Sequence, residues 1–319
     1  MQNYSTYNTN NIINLVREFI ALTKPRVNLL IMFTAIVGML LAHQSTLNYE
    51  LIFFASIGIG LAASAAAIIN HVVDQKIDSI MDRTKSRPLV NGSIKPLHAI
   101  YFALFLSFGS ISLLYLLVNT LTALLTFLSI IIYSVIYSVY LKNLTSQNIV
   151  IGGIAGAMPP LLGWTSITNQ IEPFPLVLFL IIFLWTPPHF WALAVYKYED
   201  YKKADIPMLP VTHGRDFARL HIFLYSILLF CITLFPYLLE LSGFIYLFGT
   251  IFIGLKFVID SYTLMMTKSS RKAIDLFRYS ITYLALLFAF LLVDHYLSLI
   301  HISEPTRPRL ISYAVFCLK

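Results

Sequence analysis

Long runs of apolar residues alternate with short polar segments along almost the whole chain. A helix that crosses about 30 Å of hydrocarbon needs about 20 mostly apolar residues. Nine runs come close to that length, at residues 28–43, 51–71, 99–118, 120–141, 147–167, 174–197, 217–240, 243–264 and 279–299. The pattern therefore predicts an all-α integral membrane protein, a single bundle of nine transmembrane helices.

The fifth run is interrupted by small residues and by prolines. It contains Gly152, Gly153 and Gly156, followed by the pair Pro159-Pro160. Small residues allow helices in a membrane to approach each other closely. We therefore expect this helix to lie inside the bundle, packed tightly against its neighbours.

Composition supports the membrane assignment. Of the 319 residues, 58% are hydrophobic and 12% are charged, whereas a soluble domain has about 25% charged residues. So little polar surface excludes a soluble enzyme, a disordered chain and a nucleic-acid-binding protein, and leaves the lipid bilayer as the surrounding solvent. The two cysteines, Cys231 and Cys317, form no metal-binding spacing.

The positions of the basic residues predict the topology. Lysine and arginine before residue 300 are expected only in the N-terminal segment, in four further segments, 72–98, 142–146, 198–216 and 265–278, and at the adjoining helix ends. Cytoplasmic loops carry an excess of these residues. The N-terminus and these four connections are therefore predicted to be cytoplasmic, and the net charge of +7 needs no polyanionic partner.

Three regions follow from this count. Residues 1–26 are predicted to form a cytoplasmic N-terminal segment, residues 27–299 a single membrane-embedded domain, and residues 300–319 a tail. The tail carries basic residues, Arg307 and Arg309 among them, on what would be the outer side. The tail is either an exposed segment that follows an already fixed topology or an extension that is not native sequence. We favour the second interpretation and assign the tail no function.

An acidic stripe begins at the end of the second predicted helix. Asn70, Asp74, Asp78 and Asp82 recur every fourth residue, so a helix would place them along one face. Like charges at this spacing repel each other and destabilise a helix, but a divalent cation bound among them would offset that repulsion. Mg²⁺ often binds through one or two carboxylates and substrate phosphates. The alternative is a solvated acidic face paired with nearby basic residues. The position at a membrane helix end favours the cation site.

A second polar segment follows the sixth predicted helix. His189, Tyr196 and Asp200 are separated by seven and four residues, which would place them on one helical face with His189 ~16 Å deeper than Asp200. Pro187 and Pro188 are expected to break or kink this helix. His189 is either a hydrogen-bonded packing residue or a ligand or acid–base group, and both interpretations stay open.

The two acidic segments are predicted to emerge on the same side of the membrane, each flanked by lysine and arginine. Metal ions held by carboxylates, together with basic side chains, neutralise a diphosphate as a leaving group. An apolar chain attached to that diphosphate would lie among the helices. The residues therefore point to chemistry on a diphosphate that carries an apolar chain.

The first motif resembles a known family. Asn70-x3-Asp74-x3-Asp78, followed by Arg83-Thr84 and Arg87-Pro88-Leu89, is similar to the first aspartate-rich motif of the UbiA superfamily of intramembrane prenyltransferases. The resemblance covers about residues 20–299. Within the superfamily the chain most resembles the haem-modifying branch, the protohaem IX farnesyltransferases, in three segments: Leu22–Val27, Pro187–Trp191 and Asp200–Pro210.

Two positions depart from the general superfamily pattern. His71 follows Asn70 where an aspartate is usual, and Tyr196 stands where the second motif usually has its first aspartate. These departures are those of the haem-modifying branch. The resemblance therefore implies a UbiA-type bundle that transfers the farnesyl group of farnesyl diphosphate to a vinyl group of haem B, with addition of water, giving haem O for haem-copper terminal oxidases.

The resemblance also implies roles for residues. It makes Asp74, Asp78 and Asp200 the catalytic carboxylates and the ligands of the cofactor Mg²⁺, and makes His71 and His189 haem contacts. The implied contacts to the prenyl diphosphate are Asn70, Arg83, Arg87, Tyr196, Lys197, Lys202 and Lys203. Haem A synthase or terminal-oxidase assembly proteins are the implied protein partners, in the plasma membrane of a bacterium.

Two alternatives are weighed against this interpretation. A prenyltransferase acting on an aromatic or quinone precursor would share the acidic motifs, but His71 and the Pro187-Pro188-His189 segment argue against it. An ion-coupled transporter would place its acids near the bilayer midplane, whereas the acids here are predicted at helix ends.

Overall fold

Fifteen α-helices and one π-helix make up the described part of the chain, residues 3–42, 48–82 and 84–303, in a computed structural model. The helices are α1 (Asn3–Leu22), α2 (Pro25–Leu41), α3 (Tyr49–Val73), α4 (Gln75–Ile80), α5 (Pro96–Leu117), α6 (Thr120–Ile131), the π-helix (Ile132–Leu141), α7 (Lys142–Leu144), α8 (Asn148–Thr168), α9 (Pro173–Tyr196), α10 (Tyr198–Lys203), α11 (Leu209–His213), α12 (Arg215–Ile232), α13 (Phe235–Leu238), α14 (Phe244–Thr267) and α15 (Ser270–Ser303). Residues 304–319 of the predicted tail lie outside the described residues.

Eight helical segments of the described chain are long and apolar enough to cross a membrane. They are Tyr49–Val73, Pro96–Leu117, Thr120–Leu141, Asn148–Thr168, Pro173–Tyr196, Arg215–Leu238, Phe244–Thr267 and Ser270–Leu297. A ninth is reached when Ile13–Leu22 and Pro25–Leu41, which meet at a 53° bend, are counted as one span. The predicted all-α membrane protein is thus confirmed.

The N-terminal segment is helical, which the sequence pattern did not predict. Helix α1 ends at Leu22, and α2 begins with Pro25, whose fixed φ suits the first helical position. Between them Lys24 adopts a left-handed conformation with φ 50° and ψ 60°. This break produces the bend and places Lys24 at one end of the bundle.

Helix α8 forms the interior of the bundle, as its small residues predict. Its most apolar window is 67% buried, the largest share among the eight single-helix spans, and it packs against α2 and α9. A Cβ atom at Gly163 would clash with the backbone of Ala35 on α2, and one at Gly38 on α2 would clash with the backbone of Pro160. Glycine is therefore required on both sides of this contact.

Helix α9 continues through its prolines but ends earlier than predicted. Pro187 and Pro188 lie inside the α-helix, so of the predicted break or kink the break does not occur. Prolines are tolerated in buried membrane helices because neighbouring groups satisfy the freed backbone atoms. The helix instead ends at Tyr196, where Lys197 leaves helical geometry with φ −97° and ψ 31° before α10 begins. His189 and Asp200 therefore do not share one continuous helix.

One basic residue contradicts the predicted segregation of charge. Lys256 lies near the middle of α14, far from either helix end. It forms an ion pair with Asp260, one turn along the helix, and its ammonium group lies 3.9 Å from the ring centroid of Tyr279. Pairing with an acid and an aromatic face lowers the cost of a charge inside a membrane span.

Candidate active site

The backbone keeps the first three members of the acidic stripe stacked. Although α3 ends at Val73, the Asp74 N–H still donates to the Asn70 carbonyl at 3.0 Å, and the Asp78 N–H donates to the Asp74 carbonyl at 2.8 Å. All three side chains are buried. The predicted stripe is therefore present from Asn70 to Asp78.

Asp82 departs from the stripe because the chain leaves helical geometry at Met81, with φ −86° and ψ 127°. Its side chain is 68% exposed and pairs with Lys85 at 2.8 Å. The hydrogen bond from Lys85 lowers the pKa of Asp82 from its ordinary value. For Asp82 the solvated acidic face was the correct interpretation.

Cations from separate parts of the chain pair with the buried members. Lys142, at the start of α7, lies 2.5 Å from the Asp74 carboxylate, and Arg87 lies 2.5 Å from the Asp78 carboxylate. Lys24 Nζ donates to Asn70 Oδ1 at 2.7 Å. The start of α2, the end of α3 and the start of α7 thus meet at one charged end of the bundle.

The π-helix supports Asn70 from the opposite side. Ser138 Oγ donates to the Tyr133 carbonyl, five residues earlier, at 2.9 Å. The same hydroxyl accepts a hydrogen bond from Asn70 Nδ2 at 3.2 Å. Both ends of the Asn70 amide are therefore held, which fixes its orientation, and π-helical turns are frequent at functional sites.

Two buried side chains of the motif keep polar atoms without a hydrogen bond. They are Asp74, through Oδ1, and His71, through both Nδ1 and Nε2. Both residues are only 3% exposed. Because buried polar groups in native proteins nearly always have partners, these three atoms mark a place where a ligand is expected.

The second motif is more open than the first. Asp200 pairs with Lys197 at 3.3 Å, while Tyr196 is 42% exposed and Lys202 and Lys203 are exposed. Tyr196, Lys197 and Asp200 line an open cleft. These predicted contacts therefore lie together at the end of α9 and on α10, reachable from solution.

The two motifs face each other through their outer charges. Lys197 and Lys203 lie within electrostatic range of Asp82. In the part of the chain that the structure describes, no three His, Cys, Asp or Glu side chains lie close enough together to hold a metal ion. Asp74, Asp78 and Asp200 therefore do not form one three-acid cluster.

The residues at Asp74 nevertheless suit Mg²⁺. This ion usually takes one or two carboxylates and completes its coordination with water and substrate phosphates. Asp74 presents an unpaired buried oxygen, and Asp78 lies one turn further along the same face. A diphosphate would supply the remaining ligands.

His189 lies away from these charges, among aromatic rings. It stacks between Trp185 and Phe277, with ring centroids 4.3 Å and 4.5 Å away. Its Nδ1 is 2.6 Å from Ser280 Oγ, and Ser280 Oγ donates to the Phe277 carbonyl. Because the Ser280 hydroxyl proton is donated to the Phe277 carbonyl, His189 Nδ1–H is the donor in the bond between His189 and Ser280. Nε2 is then the acceptor nitrogen of a neutral ring.

Sequence reasoning found most of this site but missed two cations. Lys142 was counted only as a topology signal, and Lys24 only as a topology signal and as part of the Leu22–Val27 resemblance, although each contacts a member of the first motif. The available signal was their position at helix ends on the predicted cytoplasmic side. Of the predicted contacts, Arg83 lies outside the described residues.

Sequence comparisons connect the chain to a known family and to named relatives. A family model described as the UbiA prenyltransferase family matches residues 31–297. A protein named protoheme IX farnesyltransferase from Legionella pneumophila (strain Lens) is 54% identical over 280 residues, which cover 88% of this chain and 95% of that protein. A protein of the same name from Marinobacter nauticus is 51% identical over 88% of this chain and 93% of its own length.

Solved structures show the same fold. A digeranylgeranylglyceryl phosphate synthase superposes with a TM-score of 0.74 at 17% identity, over 88% of this chain and 99% of that chain. A UbiA homologue from Archaeoglobus fulgidus, bound to GPP and Mg²⁺, superposes with a TM-score of 0.60 at 17% identity, over 86% of this chain and 99% of that chain. At this identity the likeness concerns the fold, which agrees with the predicted UbiA-type bundle.

Proposed function

The chain belongs to the UbiA prenyltransferase family, and from this we propose that it transfers the farnesyl group of farnesyl diphosphate to a vinyl group of haem B. Addition of water then gives haem O for haem-copper terminal oxidases. The names of its relatives at 54% and 51% identity support this choice of substrates.

The observation that carries the proposal is the charged end of the bundle. Asp74 and Asp78 are buried there with Lys142, Arg87 and Lys24 around them. A buried cluster of both signs at the mouth of an apolar bundle suits a substrate with a diphosphate head and an isoprenoid tail. Basic groups placed around such a head stabilise the charge that develops as it leaves.

Asp74 and Asp78 of the first motif, and Asp200 of the second motif, are proposed to hold Mg²⁺ against the diphosphate, each motif from its own side. When bound, Mg²⁺ would neutralise the diphosphate and make it a better leaving group. Arg87, Lys24 and Lys142 are proposed to contact diphosphate oxygens from the first motif. The remaining proposed contacts from both motifs are Asn70, Arg83, Tyr196, Lys197, Lys202 and Lys203.

Prenyl transfer itself needs no covalent bond to the protein. Lengthening of the bond between C1 and the diphosphate leaves an allylic cation, which the terminal carbon of the haem vinyl group attacks. The apolar interior, with α8 and α9 at its centre, excludes bulk water from that cation. Aromatic faces in the bundle can stabilise it through their negative ring surfaces.

His71 and His189 are proposed to contact the haem. His71 lies beside the first motif with both nitrogens unpaired. His189 has a ring plane held by two aromatic neighbours and a hydrogen bond at Nδ1. A histidine held in this way through one nitrogen resembles the arrangement usual for an axial ligand, whose other N–H is bonded to a fixed partner.

We further propose that the charged end is cytoplasmic and that the protein works in a bacterial plasma membrane, as one membrane domain over residues 27–299 preceded by a cytoplasmic segment over 1–26. The basic residues at this end favour that orientation. Haem A synthase or terminal-oxidase assembly proteins are the proposed partners that take up the product.

Reconstituted protein with farnesyl diphosphate, haem B and Mg²⁺ tests the proposal. The haem product is separated and its mass is measured by mass spectrometry. That mass should exceed the mass of haem B by one farnesyl group and one hydroxyl group. The Asp74→Asn variant should lose this activity at saturating Mg²⁺. Prenylation of 4-hydroxybenzoate with haem left unchanged would contradict the proposal and favour a quinone-precursor prenyltransferase.

A further inference from the structure

His71 occupies a particular depth relative to the acidic motif. It lies three residues before Asp74 on the same helical face, because residues three apart are neighbours on a helix. This places its imidazole about one turn further into the bundle than the Asp74 carboxylate. Under the proposed function the diphosphate lies at Asp74, so the bond that breaks lies on the side where His71 is found.

Both nitrogens of the His71 imidazole are free to form hydrogen bonds. His71 is 3% exposed, and neither Nδ1 nor Nε2 has a partner. Lys24, Arg87 and Lys142, the cations proposed to contact the diphosphate, all lie within electrostatic range of the ring. A neutral imidazole has one N–H donor and one acceptor nitrogen, so both are available to groups that arrive with the substrates.

Comparison with His189 separates the roles of the two histidines. A histidine that binds iron usually donates its other N–H to a fixed group, which orients the ring. His189 has such a partner in Ser280. His71 has none among the described residues, so its arrangement suits transient bonds to small mobile groups better than iron coordination.

We propose that His71 relays a proton from the water that completes the haem substituent to the departing diphosphate. This deepens the proposed function and rests on it. As the terminal vinyl carbon bonds to C1 of the farnesyl group, the bond from C1 to the diphosphate breaks and the positive charge moves to the vinyl carbon next to the porphyrin. The water oxygen bonds to that carbon while one nitrogen of His71 accepts a water proton.

The other nitrogen of His71 gives its proton to a diphosphate oxygen, which restores the neutral ring. The haem gains a farnesyl group and a hydroxyl group, and the diphosphate leaves with one additional proton. No oxidant or reductant is involved. Without the relay the same cation would lose a proton from the neighbouring carbon and give an alkene lighter than haem O by the mass of one water.

The ratio of alcohol to alkene among the farnesylated haems tests this role. His71→Asn and His71→Ala are compared with the wild type and with His213→Ala, which changes an exposed histidine on α11. Because general acid–base catalysis contributes about 10²-fold or more, both His71 variants should shift the ratio toward the alkene by about that factor. The control should keep the wild-type ratio.

A second measurement excludes a merely structural effect. In deuterium oxide the wild-type ratio should shift toward the alkene because proton transfer from water slows, and the shift should disappear in the His71 variants. An unchanged ratio in folded His71 variants would overturn the relay, as would loss of both products together. A wild-type protein that makes neither product contradicts the proposed function itself, so the two failures are distinguishable.

Discussion

Removal of the Lys142 charge is the most direct test of the charged end. The Lys142 ammonium lies 2.5 Å from the Asp74 carboxylate, and the two side chains are 14% and 5% exposed. Lys142→Met keeps most of the side-chain volume but leaves the carboxylate buried without its cation. Breaking a buried pair in this way costs about 3–5 kcal/mol, so we expect the free energy of unfolding to fall by that amount.

The same chain offers a matched control. Lys85 pairs with Asp82 at 2.8 Å, but these side chains are 62% and 68% exposed. Exposed pairs are screened by water and contribute little, so Lys85→Met should leave the unfolding transition unchanged. Both variants are measured by thermal unfolding in the same detergent, followed by circular dichroism.

Activity separates the structural part of the effect from the chemical part. If Lys142 also stabilises the leaving diphosphate, Lys142→Met should lower kcat by about 10²–10³, the loss typical for one group that stabilises developing charge. Adding Asp74→Asn should recover much of the stability, because no buried charge is then unpaired, while activity stays low. Equal unfolding transitions for Lys142→Met and Lys85→Met would refute the burial argument, and unchanged kcat would refute the role in catalysis.

Three further predictions concern other parts of the bundle. Gly163→Ala should lower the free energy of unfolding by about 1–3 kcal/mol, because the new Cβ would lie 2.9 Å from the Ala35 carbonyl carbon. The control Gly156→Ala, with no atom within 4 Å of its Cβ, should leave thermal unfolding unchanged. Asp294→Ala should cost about 2 kcal/mol in the same assay, the loss of a helix cap, since this carboxylate accepts bonds from three backbone N–H groups at the start of α14; an unchanged transition would contradict this. His189→Ala should shift the absorption spectrum of bound haem and weaken its binding, and an unchanged spectrum and affinity would remove His189 from the haem site.

The spans and the acidic stripe were predictable because each depends on short-range physics. The thickness of hydrocarbon sets the length of an apolar run, and the helical repeat places Asn70, Asp74 and Asp78 on one face. The interior position of α8 followed from its small residues. These features need no knowledge of which helices become neighbours.

The cations could not be predicted in the same way, because their contacts join distant parts of the chain. Lys24 reaches Asn70 over 46 residues, and Lys142 reaches Asp74 over 68. No local spacing encodes such pairs. The local expectations that were wrong failed for a related reason, since burial among other helices lets Pro187 stay helical and pairing lets Lys256 remain inside a span.

Pairing at the charged end has a consequence for how the proposed substrates would bind. Two buried carboxylates, Asp74 and Asp78, face three basic side chains, Lys24, Arg87 and Lys142. Mg²⁺ alone would meet these basic side chains, and a diphosphate alone would face two carboxylates. Arriving together they offset each other, and the lysine and arginine can turn from the carboxylates to the diphosphate. A site whose metal and substrate bind together is therefore expected to have basic side chains that pair with its carboxylates before the substrates arrive.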